Sequence, residues 1–325
     1  MPLDFDKLGV GTVLDETLYS DSGKLLLRRG SIITEDLLRH LKLASKTYYG
    51  SRSDPYMAAL PGSDVSRHGC KPYNPEQVQR LQWRFESASE TVDDLASAFV
   101  KRKLSSTENL QELTNDYIDE MSKDMDQVMS ASSDVPEDQQ LAARCIRMGI
   151  LSMAIGIELG LGKDDLIQLG IAAVIHDWGL FTLPADMRFL RPDLTVKQRV
   201  QYSRHPHVTH ELLQAISHLP PAVMQGVLHT HERLDGSGFP NGLRGQQISK
   251  AGRILAVADT YLFLTSPLGD LPAVVPCDAV AYILGQLRKG RFDPWAIRGF
   301  LQALAQFPIG SLLQLSDNRQ VKVLR

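Results

Sequence analysis

Five side chains able to hold a divalent cation lie at the ends of apolar segments or inside them. They are His176 and Asp177 in VIHDWGLFTLP, His205 in SRHPHVTH, His231 in HERLDG, and Asp259 in ILAVADTYLFLTS. Imidazole and carboxylate together suit iron, manganese, zinc and similar ions. Asp259 carries the most weight, because it interrupts an apolar helix. An unpaired carboxylate there is strongly penalised or takes up a proton. A metal is one partner that relieves this; an arginine or a backbone N–H is another. A single histidine in such a setting is more often a satisfied core or surface residue, so the case rests on the five together.

Positioning these residues requires a large folded unit. The chain has 325 residues, 43% hydrophobic and 22% charged, the composition of an ordinary soluble protein with room for two or three units. A net charge of −3 gives no bulk attraction to nucleic acid, so an anionic ligand must be met by local cations. Cys70, Cys145 and Cys277 are odd in number and far apart, which argues against a disulfide framework or a cysteine zinc site. The start, MPLDFDKLGVG, does not read as a signal peptide, and no uncharged apolar stretch reaches membrane-spanning length. A cytoplasmic protein without membrane or nucleic-acid partners is the expectation.

Along the chain, residues 1–55 read as a small mixed α/β unit. TLYS and KLLL are strand candidates around the turn signal SDSG, a helix follows Thr34, and KTYYG closes the unit. Residues 56–74 read as a linker rich in Pro, Gly and Ser. Connecting helices are expected over 75–135. The first opens at Asn74-Pro75-Glu76; the second carries the stripe Leu110, Leu113, Tyr117, Met121, Met125 and Val128. That spacing fits internal packing or the seam of a homodimer through residues 75–132. Residues 136–306 read as a helical domain. Helices are expected over 136–160, from Asp164 to His176, on both sides of SRHPHVTH, over 220–231, 250–266, 276–289 and 293–305. The helix over 250–266 is apolar enough to be central. Residues 307–325 alternate apolar and polar residues around SDN, a terminal β-hairpin pattern. The fold class expected is mainly α, a helical bundle with a small N-terminal α/β unit and a C-terminal β-hairpin.

The ordered segments HDWG, RHPH and HERLDGSGFPNGLRGQQISKAGRILAVADTYLFLTS resemble the HD-GYP family of cyclic di-GMP phosphodiesterases, a branch of the HD-domain phosphohydrolases. The resemblance runs from about residue 136 to 305. It implies an HD-type bundle holding two or three metal ions, whose activated hydroxide attacks a phosphodiester. His176 and Asp177 match the family's HD pair, with Asp177 as bridging and catalytic residue. His205, His231 and Asp259 match further ligands. Gly238, Phe239 and Pro240 match the Gly-Tyr-Pro signature with Phe in place of Tyr. That loop, with Arg253, is the expected substrate or partner surface, and Phe239 is expected at an exposed tip suited to a signalling protein.

The departures point the other way. Arg144 falls where the family has a ligating His, and Thr230 replaces the first His of its paired HHE. His229 cannot substitute, because one residue's shift turns a helical side chain by about 100°. Leu180 replaces the Lys after the HD pair, and Leu268 and Leu271 replace two cations that face phosphate. The resemblance therefore implies a degenerate HD-GYP protein, regulatory or scaffolding in cyclic di-GMP signalling, with doubtful occupancy by iron or manganese. The alternative is an active metal-dependent phosphohydrolase. A third reading is a nucleotide sensor using Arg204, Arg233, Arg244 and Arg253.

Overall fold

A computed structural model describes residues 74–104, 106–133, 141–190, 194–216, 219–266 and 273–304, together with five short strands. Most of the expected α/β unit, the linker and the terminal hairpin lies outside the described residues, as do Leu268 and Leu271. The chain divides into two units, Met1–Cys70 and Lys71–Arg325. In the first, β1 (Leu18–Tyr19) pairs antiparallel with β2 (Leu25–Leu27) on one side and β3 (Tyr49–Gly50) on the other. In the second, β4 (Leu312–Gln314) and β5 (Gln320–Lys322) pair antiparallel.

The second unit is a helical bundle. Its first helix, α1 (Pro75–Val100), starts where the Asn74 side chain accepts from the Gln77 N–H at 3.2 Å and Pro75 presets the first turn. Val78, Leu81, Phe85, Ala88, Val92, Ala96 and Phe99 recur by threes and fours and are all buried. They pack on α2 (Glu108–Ser133) and α3 (Leu141–Glu158). The buried Glu120 pins α1 to α2: it accepts from Arg80 at 2.8 Å and Arg84 at 3.1 Å, with Lys123 at 3.2 Å. The stripe on α2 is internal. Leu110, Tyr117, Met121, Met125 and Val128 are buried, so these side chains form a bundle face and not an open seam. The helix breaks at Asp124, which has extended backbone and caps the following turn by accepting from Gln127 N–H at 3.2 Å.

The core centres on α3, buried along nearly its whole length and touching α1, α2, α4 (Lys163–Ile175), α8 (Lys250–Thr265) and α10 (Pro294–Ala303). Centrality expected for α8 alone is thus shared, and α3 has the larger part. After α4 come a 3-10 turn (Trp178–Thr182), α5 (Val196–Ser203), α6 (His205–Leu213) and α7 (Pro221–His229). The segment SRHPHVTH is not a connector between flanking helices. The chain bends at Arg204, and His205 already opens α6, with Pro206 in its first turn. Ser249 caps α8 by accepting from Gly252 N–H at 3.1 Å; α9 (Pro276–Arg288) and α10 complete the bundle. No helix among the described residues is long and apolar enough to cross a membrane.

Candidate metal centre

His176, Asp177, His205, His231 and Asp259 converge in the bundle interior, all buried. Asp177 is the hub. His205 Nε2 lies 3.0 Å and His231 Nε2 3.4 Å from its Oδ1, and His176 Nε2 lies 3.3 Å from its Oδ2. His231 also reaches Asp259, Nδ1 to Oδ2 at 3.1 Å. The two outer imidazoles are oriented by backbone: His176 Nδ1 lies 2.7 Å from Ala173 O and His205 Nδ1 2.6 Å from Tyr202 O. A carbonyl accepts only, so each Nδ1 carries the proton and each Nε2 offers a lone pair inward.

At His176 that lone pair faces a carboxylate lone pair, and neither can donate. Accordingly His176 Nε2 and both Asp177 oxygens are buried without a hydrogen-bond partner among the described residues. Buried polar atoms are rarely left so. A cation between them resolves the conflict, and His176, Asp177 and His231 bring one ligand atom each within 4.8 Å of one another. The donor set fits one divalent ion of the imidazole- and carboxylate-binding kind.

The electrostatics follow the geometry. Burial alone would raise Asp177, but His176 and His205, when protonated, outweigh it and hold the carboxyl well below its usual range. Burial would lower His231, but Asp259 and Asp177 push it up to about 9. Burial dominates at His205 and lowers it. His231 is therefore the protonated partner in the 2.9 Å contact between His205 Nε2 and His231 Nε2. An arriving cation has to displace that proton.

Two small residues permit this approach. A Cβ on Gly179 would lie 2.3 Å from His205 O, so only glycine lets the turn after Asp177 meet the start of α6. Thr209, one turn after His205, accepts from Gly179 N–H at 2.8 Å and donates to His205 O at 2.9 Å. It stitches the HD turn to α6.

The departing positions are placed as follows. Arg144 on α3 is buried, with Nη2 3.0 Å from Asp259 Oδ1 and 3.9 Å from Asp177 Oδ2. Burial would lower its pKa, but the two carboxylates win and raise it, so the guanidinium stays charged. The partner of Asp259 is thus both an arginine and His231. Thr230 turns its hydroxyl back to Gly226 O at 2.9 Å. His229 points elsewhere, with Nδ1 3.1 Å from both the Ser249 hydroxyl and the Ser249 N–H that it accepts from. Leu180 is fully buried. The sequence reading overlooked Tyr202, which is buried edge-on to the His205 ring at 5.2 Å. It also overlooked Thr209 and Glu232. Thr209, four residues after His205 on a helix start, was the legible signal among the three.

The loop after His231 corrects an expectation. Phe239 is not an exposed tip: it is half-buried and stacked on the His231 ring at 4.8 Å, 9° from parallel. Gly238 is required there, since a Cβ would lie 2.4 Å from the Glu232 backbone. The Phe239–Pro240 peptide is cis. Arg253 is engaged within the chain. It pairs with Asp293 at 2.7 Å and donates to Ile248 O at 2.9 Å, which ties the loop exit to α10. Arg233 is likewise engaged, donating to Glu232 O at 2.8 Å and Thr260 at 3.0 Å and lying over the Phe292 ring at 5.1 Å.

A buried histidine–aspartate cluster in a helical bundle defines the class, and comparison with known proteins agrees. The chain belongs to the HD domain family, which it matches over residues 104–295. Within that family it is a member of the HD-GYP branch. It is 30% identical over 188 residues to the cyclic di-GMP phosphodiesterase PA4108 of Pseudomonas aeruginosa, covering 58% of this chain and 45% of that protein. It is 29% identical over 262 residues to the cyclic di-GMP phosphodiesterase response regulator RpfG of Xanthomonas campestris, covering 78% of this chain and 65% of that one. The chain thus spans about half to two thirds of the length of these relatives. The solved structure of Bd1817, a HDG"Y"P protein from Bdellovibrio bacteriovorus, shares the fold: TM-score 0.57 at 17% identity, over 92% of this chain and 97% of that one.

Proposed function

We propose that this chain is a degenerate HD-GYP protein that binds cyclic di-GMP or a related phosphodiester and hydrolyses it little or not at all, acting as a regulator. The observation that carries this reading is the Arg144 guanidinium 3.0 Å from Asp259. A permanent cation on that carboxylate opposes an ion beside it. At an effective dielectric of about 20, a divalent ion about 4 Å from a guanidinium meets repulsion on the order of 8 kcal/mol. The site then holds at most one ion, on His176, Asp177, His205 and His231. Such an ion, when bound, supplies an activated water and charge for the phosphate. The chain's own contribution is the oriented imidazoles and the hub carboxylate. Leu180 gives no positive charge beside the phosphate, where that charge would lower the barrier.

A second reading, an active one-metal phosphohydrolase, is favoured by the unpartnered oxygens of Asp177. One experiment separates the two. Metal-stripped protein is titrated with Mn²⁺ and Fe²⁺, and turnover of cyclic di-GMP is followed at each loading. At most one ion per chain and near-background turnover are expected. Robust metal-dependent turnover that Asp177→Ala abolishes would establish the enzyme instead.

A further inference from the structure

His176 and His205 each have Nδ1 on a backbone carbonyl, but His231 does not; its Nδ1 meets a side chain, Asp259. That contact, with Asp259 itself held by Arg144 at 3.0 Å, fixes the Nδ1 edge of the ring and leaves the face of His231 for another contact to hold. The only ring stacked flat on it among the described residues is Phe239, at 4.8 Å and 9°. The same ring stands edge-on to His205, at 6.1 Å and 81°.

Phe239 is in turn held by a closed loop. Glu232, buried and directly after His231, has no cationic partner within ion-pair distance among the described residues. Its two oxygens accept backbone N–H groups instead, Oε1 from Asn241 at 2.7 Å and Oε2 from Leu243 at 2.9 Å. Phe239 N–H donates to His231 O at 3.2 Å. Gly238 lies against the Glu232 backbone too closely for any Cβ. A carboxylate accepting two N–H groups is a charge-assisted latch. It holds both sides of the turn that carries Phe239.

We infer that Glu232 is a positioning residue for His231, acting through Phe239: the carboxylate latches the loop, and the stacked ring fixes the imidazole with Nδ1 on Asp259 and Nε2 on Asp177. This deepens the proposed function, because it rests on His231 belonging to the binding site. Partners that orient a ligating imidazole commonly set metal affinity by about 10- to 100-fold.

The test uses Glu232→Gln, Phe239→Leu and the double variant. Gln keeps the volume but turns one acceptor into a donor facing a backbone N–H. In metal-free protein, the imidazole signals in ¹⁵N–¹H NMR should shift and broaden for His231 in both single variants while those of His176 stay put. With Co²⁺ as probe, each single variant should lose about tenfold in affinity, and the double variant no more than either alone, since one residue acts through the other. Additive losses, or an unmoved His231 signal in folded Glu232→Gln protein, would overturn the inference. If Glu232→Gln fails to fold, Phe239→Leu carries the test, and an unmoved His231 signal there overturns it equally. Failure of the proposed function shows elsewhere, as robust turnover by the unaltered chain, and leaves the metal-free NMR comparison intact.

Discussion

Arg144 sits between two opposite costs. Removing its charge without replacement strands Asp259 in the interior with His231 alone. Breaking a buried pair in this way costs roughly 3–5 kcal/mol, and the remaining His231 contact at 3.1 Å places the expected loss near the lower end. Arg144→Met should therefore lower stability by about 3 kcal/mol in urea unfolding of metal-free protein. Arg144→His should lose less and should raise the number of Mn²⁺ ions bound. No gain in metal with Arg144→His would mean that the guanidinium is not what limits loading. At this scale the cluster was legible because histidines and aspartates stand out against apolar sequence. Glu232 was not, since an acidic residue before a glycine-rich loop looks like surface until its oxygens are seen to accept Asn241 and Leu243. Nor was the inward turn of Phe239, because a loop tip rich in Gly and Asn reads as exposed whichever way its one aromatic ring faces.

Between elements, the junction of the HD turn with α6 is the critical approach. Gly179→Ala would push a methyl against the His205 carbonyl, a backbone atom that cannot swing away. The expected result is a shift of α6 that separates His205 from Asp177, with lost metal binding as well as lost stability. Thr209→Val tests the same seam more gently. It keeps the shape but leaves the buried Gly179 N–H without its acceptor at 2.8 Å, costing about 1–3 kcal/mol. If Thr209→Val protein unfolds at the unaltered urea midpoint, the hydroxyl is not holding the seam. The helices themselves were readable from periodicity and, at Asn74-Pro75, from a cap; the Thr195–Gln198 capping box and Ser249 mark starts that the structure adds. The start of α6 was not, because Arg204 joins α5 to α6 without a Gly or Pro break and Pro206 falls in the first turn of the new helix.

For the whole molecule, the question is what the long stripe on α2 does. By spacing alone, an internal face and a dimer seam look alike, since both demand apolar residues every three or four positions. Burial within a single chain distinguishes them: Met121 and Met125 are 0% exposed with no second copy present. The helix that carries them packs on α1, α3 and α4 of the same unit. Met121→Ala should therefore empty part of the monomer's own core and cost about 2–5 kcal/mol. The loss should be independent of protein concentration, because no association equilibrium is linked to it. Sedimentation should give the same mass for the variant and the unaltered chain. If Met121→Ala instead shifts an oligomer toward monomer, and the stability loss shrinks at high protein concentration, the stripe belongs to a seam between copies. The α1–α2 pair would then be an assembly element, not the wall that backs α3 and, through it, Arg144.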